Sequence, residues 1–209
     1  MHSPSATARL AGLSYLGLIA AGITAEFFLR APLVSSDSAG TAAALAGNET
    51  LWRLSLVADL VMATLDVALA LLLFLLFRPV DEPLALAAMI LRLLQMAVIV
   101  AQLPLLLAAL STTDPLPLIA RHAAGYDLGL WFFGLNGLVM AVLLRRAGAP
   151  RGMPVMIGAG GLVYLLGTAA LVLAPSVNSA LEAVYLLPFA AELWFAVWLL
   201  RGARAKVRG

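Results

Sequence analysis

Six long apolar runs fill this chain: Leu10–Leu29, Leu51–Phe77, Pro83–Leu110, Ala123–Leu144, Met153–Ala174 and Ala180–Leu200. Each supplies the roughly 17–25 residues that a helix needs to cross the hydrocarbon core of a bilayer. The expected fold is therefore all-α: a polytopic membrane protein built as a bundle of six transmembrane helices. Charge content points the same way. Only 11% of residues are charged and 63% are hydrophobic, whereas a soluble domain carries about 25% charged residues. So few charges cannot cover a water-facing globule, and lipid must be the solvent for most of the surface. Too little chain remains outside the runs for a second domain, so residues 1–209 read as one membrane domain.

The same inventory narrows the chemistry. Cysteine is absent, which removes disulfides, thiolate metal sites and cysteine nucleophiles. The histidines His2 and His122 are too few for a His-rich zinc or bis-His haem site within one chain. His122 beside outer carboxylates is the one mixed His/carboxylate arrangement, and a rim histidine is more often simply interfacial. No cofactor or metal is expected. The net charge of +2 is no nucleic-acid signal, because the arginines fall mostly at run ends rather than on one basic face. No H-E-x-x-H, G-x-S-x-G or phosphate-binding glycine loop is present. Twelve Arg against one Lys, with abundant Ala and Leu, points to a GC-rich, bacterial source. The start of the chain resembles a signal peptide, but its apolar run continues to Phe27-Phe28-Leu29 without a small-x-small cleavage site. It is read as an uncleaved first span.

Basic residues give the orientation. Arg9, Arg78, Arg145, Arg146, Arg151, Arg201, Arg204, Lys206 and Arg208 share one side if there are six spans, and Arg30, Arg53 and Arg121 share the other. Nine against three places both termini in the cytoplasm of a cell whose plasma (inner) membrane holds the chain. The loop Ala31–Thr50 is then external. Its Ser35-Ser36-Asp37-Ser38 cluster can cap a short Ala-rich helix through Leu45, with Asn48 capping the second span. Prolines at 79 and 83 frame a tight internal turn.

Ionisable residues inside the spans are nearly all acids. Each costs roughly 2.5–3.5 kcal/mol at mid-bilayer on insertion scales, so it needs a partner or a use. Helical spacing gives one polar stripe on each of five spans: Tyr15, Gly22 and Glu26; Asp59 and Asp66; Arg92, Gln95 and Gln102; Asp127 with Asn136 nearby; Glu182, Tyr185 and Glu192. The fifth span offers only Tyr164 and Thr168. These stripes should converge on an interior polar core. By the helical rise, Asp66, Asn136 and Glu192 lie within roughly 5 Å of the midplane and Arg92 roughly 7 Å to its cytoplasmic side. Arg92 should pair first with Asp66, because spans two and three form a tight hairpin. Glu26, Asp59, Asp127 and Glu182 lie in the outer half, with His122 and Arg30 near the rim. A polar vestibule open to the outside and narrowing to Arg92 is the expected arrangement.

Read in order, Ala25-Glu26, Arg53, Ala58-Asp59-Leu60, Asp66-Val67-Ala68-Leu69, Arg78-Pro79, Arg92-Leu93-Leu94-Gln95, Tyr126-Asp127-Leu128-Gly129, Phe132-Phe133-Gly134, Pro188 and Glu192-Leu193-Trp194 resemble the bacterial membrane proteins grouped as domain of unknown function 4386. The resemblance runs from about Arg9 to Gly202. It implies a multi-span membrane protein with this polar set and supplies no substrate.

Three functions fit these residues. One is a binding or transport module taking a small cationic or polar ligand, or protons, with Glu26, Asp59, Asp127 and Glu182 outermost and Arg92, Asp66 and Glu192 as the central anchor. Six acids facing one Arg within the spans favour it. Another is a structural or partner-binding subunit, in which the polar core only fixes helix register. The last is an intramembrane enzyme on a lipid, with carboxylates as acid and base. The lipid bilayer is the one certain partner, and the sequence is compatible with a homo-oligomer.

Overall fold

The computed structural model describes residues 4–174 and 184–202. Helix α1, Pro4–Ile23, continues through a π-helical segment, Thr24–Arg30, and a 3-10 turn, Ala31–Leu33. Then come α2 (Ser38–Gly47), α3 (Glu49–Phe77), α4 (Glu82–Val100), α5 (Leu103–Ala108, extended by a 3-10 turn Ala109–Ser111), α6 (Leu116–Arg146), α7 (Gly152–Leu173) and α8 (Leu186–Leu200). No strand occurs among the described residues. The molecule is an all-α membrane bundle.

Six helices close into a ring. In chain order α1 packs on α3, α3 on α4, α4 on α6, α6 on α7, α7 on α8, and α8 returns to α1. Glycines permit two close helix crossings. A Cβ on Gly161 of α7 would stand 2.6 Å from the Gly134 carbonyl oxygen of α6. One on Gly12 of α1 would stand 2.7 Å from the Leu200 nitrogen of α8. Backbones this close give the dispersion contact that holds helices together when lipid offers no hydrophobic drive. The outer faces are apolar and exposed: Val57, Leu60, Val61, Leu71 and Leu75 on α3, and Val155, Leu162 and Leu166 on α7.

Local chemistry explains the ends. The Asp37 carboxylate accepts from the Gly40 amide at 2.7 Å and starts α2; that of Asp81 accepts from the Leu84 amide at 3.1 Å and starts α4. These caps satisfy donors that the first turn leaves free. After α6, Gly148 takes φ 73°, the left-handed conformation that a Cβ disfavours. Asn48 precedes α3, but its amide turns back to donate to the Ala44 carbonyl of α2 at 3.0 Å, so it does not cap α3 as expected.

Several expected boundaries move. Among the described residues, five helical stretches are long and apolar enough to cross a membrane: Ser5–Leu33, Glu49–Phe77, Glu82–Ser111, Leu116–Arg146 and Gly152–Leu173. The expected sixth span, residues 180–200, is described as an α-helix only over Leu186–Leu200, 15 residues; at the helical rise these cover about 22 Å, less than the ~30 Å core. The expected third span stands as Glu82–Ser111, with its α-helical pattern interrupted at Ala101 and Gln102, because Pro104 has no amide to give to the carbonyl one turn before it and its ring crowds that group. Helix α6 begins at Leu116 rather than Ala123, since Pro115 and Pro117 fit a first turn, whose amides have no intrahelical partner.

The core sits in two main parts. Tyr15, Leu69, Phe77, Leu143 and Phe195 fill the half nearer the α3–α4 turn, with the Tyr15 and Phe195 rings edge-on at 5.8 Å. Leu33, Leu45, Trp52, Leu56 and Leu106 fill the α2 end, where the Trp52 indole donates to the Leu106 carbonyl at 2.7 Å.

Candidate functional site

A cavity of about 420 Å³ occupies the half of the ring nearer α2. Its walls come from α1, α3, α5, α6 and α8, and α1 faces α6 across it. Leu18, Ile19, Met62, Leu106, Ile119 and Phe189 make it largely apolar, and Glu26, Arg30, Asp59, His122, Asp127 and Glu192 supply its ionisable groups.

At the α2 end, Arg30 turns inward. Its guanidinium donates to Asp59 through both terminal nitrogens, at 2.5 and 3.3 Å, to Glu26 through Nε at 3.0 Å, and to Ser55 Oγ at 3.4 Å. Arg30 and Asp59 are buried, whereas 56% of the Glu26 side chain is exposed. The π-helical segment sets this up. It packs against α3, where Arg30 meets Ser55 and Asp59, and π-helical segments are frequent at functional sites. Sequence spacing put Arg30 at the rim and left one arginine facing six acids. The structure corrects that: two arginines are internal. The signal was available, since Glu26 and Arg30 stand four apart and Ser55 and Asp59 repeat that spacing on the next span.

His122 and Tyr126 share the α6 face one turn apart, with ring centroids 6.5 Å apart. Both line the cavity. His122 is only 7% exposed, and no hydrogen bond from a described residue reaches its ring. It belongs to the wall rather than to a water-facing rim, a consequence of α6 starting seven residues early. Among the described residues, no cluster of His, Asp and Glu is suited to a metal.

The floor is Glu192. Its carboxylate accepts from the Tyr164 hydroxyl at 2.8 Å. One turn along α7, the Thr168 hydroxyl donates to the backbone carbonyl of Asp127 at 2.8 Å. Helix α7 thus braces both Glu192 and the α6 segment carrying Asp127. The Asp127 carboxylate itself makes no ion pair among the described residues.

Glu192 also borders a second compartment of about 20 Å³, lined by Tyr15, Arg92, Phe133, Asn136 and Tyr164. Here Arg92 gives Nε and Nη2 to one oxygen of Asp66, at 2.6 and 2.5 Å. The guanidinium lies 5.0 Å from the ring centroids of both Tyr15 and Phe133. Asn136 donates to the Ala88 carbonyl at 2.7 Å and ties α6 to α4. Gln95 is buried with its Oε1 unpartnered, as is the second oxygen of Asp66. The arrangement therefore differs from a vestibule narrowing to Arg92. The large cavity stops at Glu192, and Arg92 sits in a packed compartment beyond it.

Of the residues singled out from sequence, Glu26, Asp59, Asp127 and Glu192 meet in the large cavity. Asp66, Arg92, Gln95 and Asn136 form the packed centre next to it. Glu182 lies outside the described residues.

No curated protein and no solved structure gives a significant match to the chain. One family model does match, over residues 10–202. With nearly the whole chain covered, from the first span through Leu200 at the end of α8, the protein belongs to the family described as Domain of unknown function (DUF4386).

Proposed function

We propose that this protein binds, and moves across the membrane, a small cationic or polar ligand or protons, using the cavity between α1 and α6. One observation carries this reading: four carboxylates, Glu26, Asp59, Asp127 and Glu192, face one guanidinium, Arg30, around about 420 Å³ of space. Arg30 is taken up by Asp59 and Glu26. Glu192 is held by Tyr164 beside the Arg92 compartment, and Asp127, with no ion pair among the described residues, leaves negative charge over in a poorly solvated wall. A surplus of that kind is relieved by a proton or a bound cation. The distribution of Arg and Lys supports cytoplasmic termini in a bacterial inner membrane, with the cavity in the outward half.

A second reading, that of a structural or partner-binding subunit, draws on the Arg92 compartment. Its 20 Å³ leaves almost no room beside a paired and ring-flanked guanidinium. The two readings divide the polar residues: Arg92 and Asp66 hold the bundle, and Asp127 and Glu192 face the ligand.

The test is thermal stability of the purified protein in detergent, across pH and against a panel of inorganic cations, amines and neutral polar solutes. At least one should raise the melting temperature of the wild type and lose its effect in Glu192→Gln and Asp127→Asn. A wild type indifferent to the whole panel and to pH would overturn the binding reading.

A further inference from the structure

Among the described residues, Glu192 alone lines both the large cavity and the compartment beyond it. About 420 Å³ of space lies on its α2 side and about 20 Å³ on the side of Arg92. A third space, of about 10 Å³, shares Arg92 and Asn136 with the second and runs on to Phe77 and Ala85, beside the α3–α4 turn. The three spaces follow one another through shared side chains, and Glu192 is the first junction.

Size decides what goes past that junction. Roughly 10–15 Å³ of such space takes one water, so the second compartment admits a water molecule and no organic ligand. Its wall carries the polar partners that a buried water needs: Arg92, Asn136, the Tyr15 and Tyr164 hydroxyls and the Glu192 carboxylate. Hard metal cations take about six oxygen ligands, and this wall offers one carboxylate beside a guanidinium. A proton needs a single lone pair.

A second observation marks the same centre as short of hydrogens. Asp66 is bonded to Arg92 through one oxygen, and its other oxygen is buried without a hydrogen bond. Gln95, one turn from Arg92 on α4, has its Oε1 in the same state. A buried acceptor without a donor costs the desolvation of that group. Water or a proton supplies what the neighbouring side chains lack.

Glu192 is placed for exchange rather than for pairing. Tyr164 donates to its Oε1 at 2.8 Å, and it makes no ion pair among the described residues. The groups around it are Tyr15 of α1 and Tyr164 of α7, the two helices packed on α8, with Arg92 of α4 across the compartment and Tyr126 and Asp127 of α6 across the cavity.

We propose that Glu192 is a proton-exchange site joining the cavity to the Arg92 compartment. A hydronium in the cavity gives its proton to the carboxylate oxygen that Tyr164 leaves free. That O–H bond then breaks in favour of a water in the compartment, and the carboxylate is restored with no electron gained or lost. Tyr164 keeps Oε1 in place throughout. This rests on the transport reading above and names the proton as the species that goes past Glu192.

The experiment uses the full chain in liposomes loaded with potassium and a pH-sensitive dye, in a medium whose cation is N-methylglucamine. Valinomycin sets the lumen negative and draws protons inward. The wild type should acidify the lumen faster than protein-free vesicles do, and Glu192→Gln should return the rate to the protein-free level. Glutamine still offers Tyr164 an acceptor but cannot carry the proton. Glu49→Gln, on the exposed surface, should leave the rate unchanged. A hydrophobic carbodiimide, which couples to protonated carboxyls in apolar surroundings, gives a second measurement on the unaltered chain. It should block the flux and add its mass at Glu192, located by peptide fragmentation. Flux that survives Glu192→Gln overturns the assignment. Should that variant not fold, a blocked protein with Glu192 unlabelled overturns it instead. A wild type no faster than empty vesicles does so too, and the cation panel then decides the binding reading on its own. Silence in both sinks both.

Discussion

Arg92 and Asp66 are joined at 2.5 Å with side chains 4% and 2% exposed. Two guanidinium nitrogens, Nε and Nη2, converge on a single carboxylate oxygen, and the cation is flanked by Tyr15 and Phe133. Removing one partner leaves an uncompensated buried charge, which costs about 3–5 kcal/mol. Removing both does not. Arg92→Gln and Asp66→Asn should each destabilise by about that amount, and the double variant should recover most of it. Arg92→Lys should rescue poorly, since a point charge reproduces neither the fork nor the stacking. Unfolding in mixed micelles measures all four. A double variant as unstable as the sum of the singles would show that the pair is not a clasp.

Arg30 and Arg53 provide an internal contrast. Both pair with a glutamate four residues away on their own helix. Arg53 and Glu49 are more than half exposed, so Arg53→Gln should cost at most about 1 kcal/mol. Arg30 also grips the buried Asp59 across to α3. Arg30→Gln strands that carboxylate and should cost about 3–5 kcal/mol. Equal losses in the two variants, in the same unfolding assay, would mean that Arg30 is solvated in the membrane-embedded protein.

These pairs also show what could be read from residues alone. The Asp66–Arg92 contact followed from depth and from the short turn between α3 and α4, because a hairpin leaves little freedom over which residues face one another. Arg30 was misplaced because the first apolar run ends at Leu29, and hydropathy carries no sign that a π-helical segment keeps the next residue internal. The interruption after Val100 was hidden for the related reason that Ala101 and Leu103 are as apolar as a continuous helix. His122 was assigned to the rim because its surrounding residues are too mixed to extend an apolar run. Pro115 and Pro117 mark the start of α6, and hydropathy carries no sign of that. In each case composition identified the helix and backbone chemistry placed its end.

The α6–α7 crossing should tolerate no side chain. A Cβ on Gly161 would meet the Gly134 carbonyl oxygen at 2.6 Å and the Leu138 nitrogen at 3.2 Å. Both are backbone atoms of a helix and cannot swing aside. Gly161→Ala should destabilise by about 1–3 kcal/mol, the cost of overpacking, and should displace Tyr164 from Glu192 along with α7. Gly47→Ala, where nothing lies within 4 Å, should be neutral or gain up to about 1 kcal/mol of helix propensity. Melting temperatures in one detergent compare them directly. An intact Gly161→Ala would require α6 and α7 to stand farther apart.

The absence of cysteine makes the cavity open to labelling without background. Ile119→Cys and Met62→Cys place a thiol on the cavity wall, whereas Leu69→Cys, 0% exposed, places one in the packed half. A charged, membrane-impermeant thiol reagent reacts with the thiolate, which needs water. Ile119→Cys should label quickly, Met62→Cys more slowly because it lies deeper, and Leu69→Cys not at all. In intact cells the first two should react with reagent added outside, as outward placement of the cavity requires. Labelling only in inverted vesicles would reverse the proposed orientation. No labelling at either wall position would mean that water does not reach the carboxylates and that the polar core serves assembly alone.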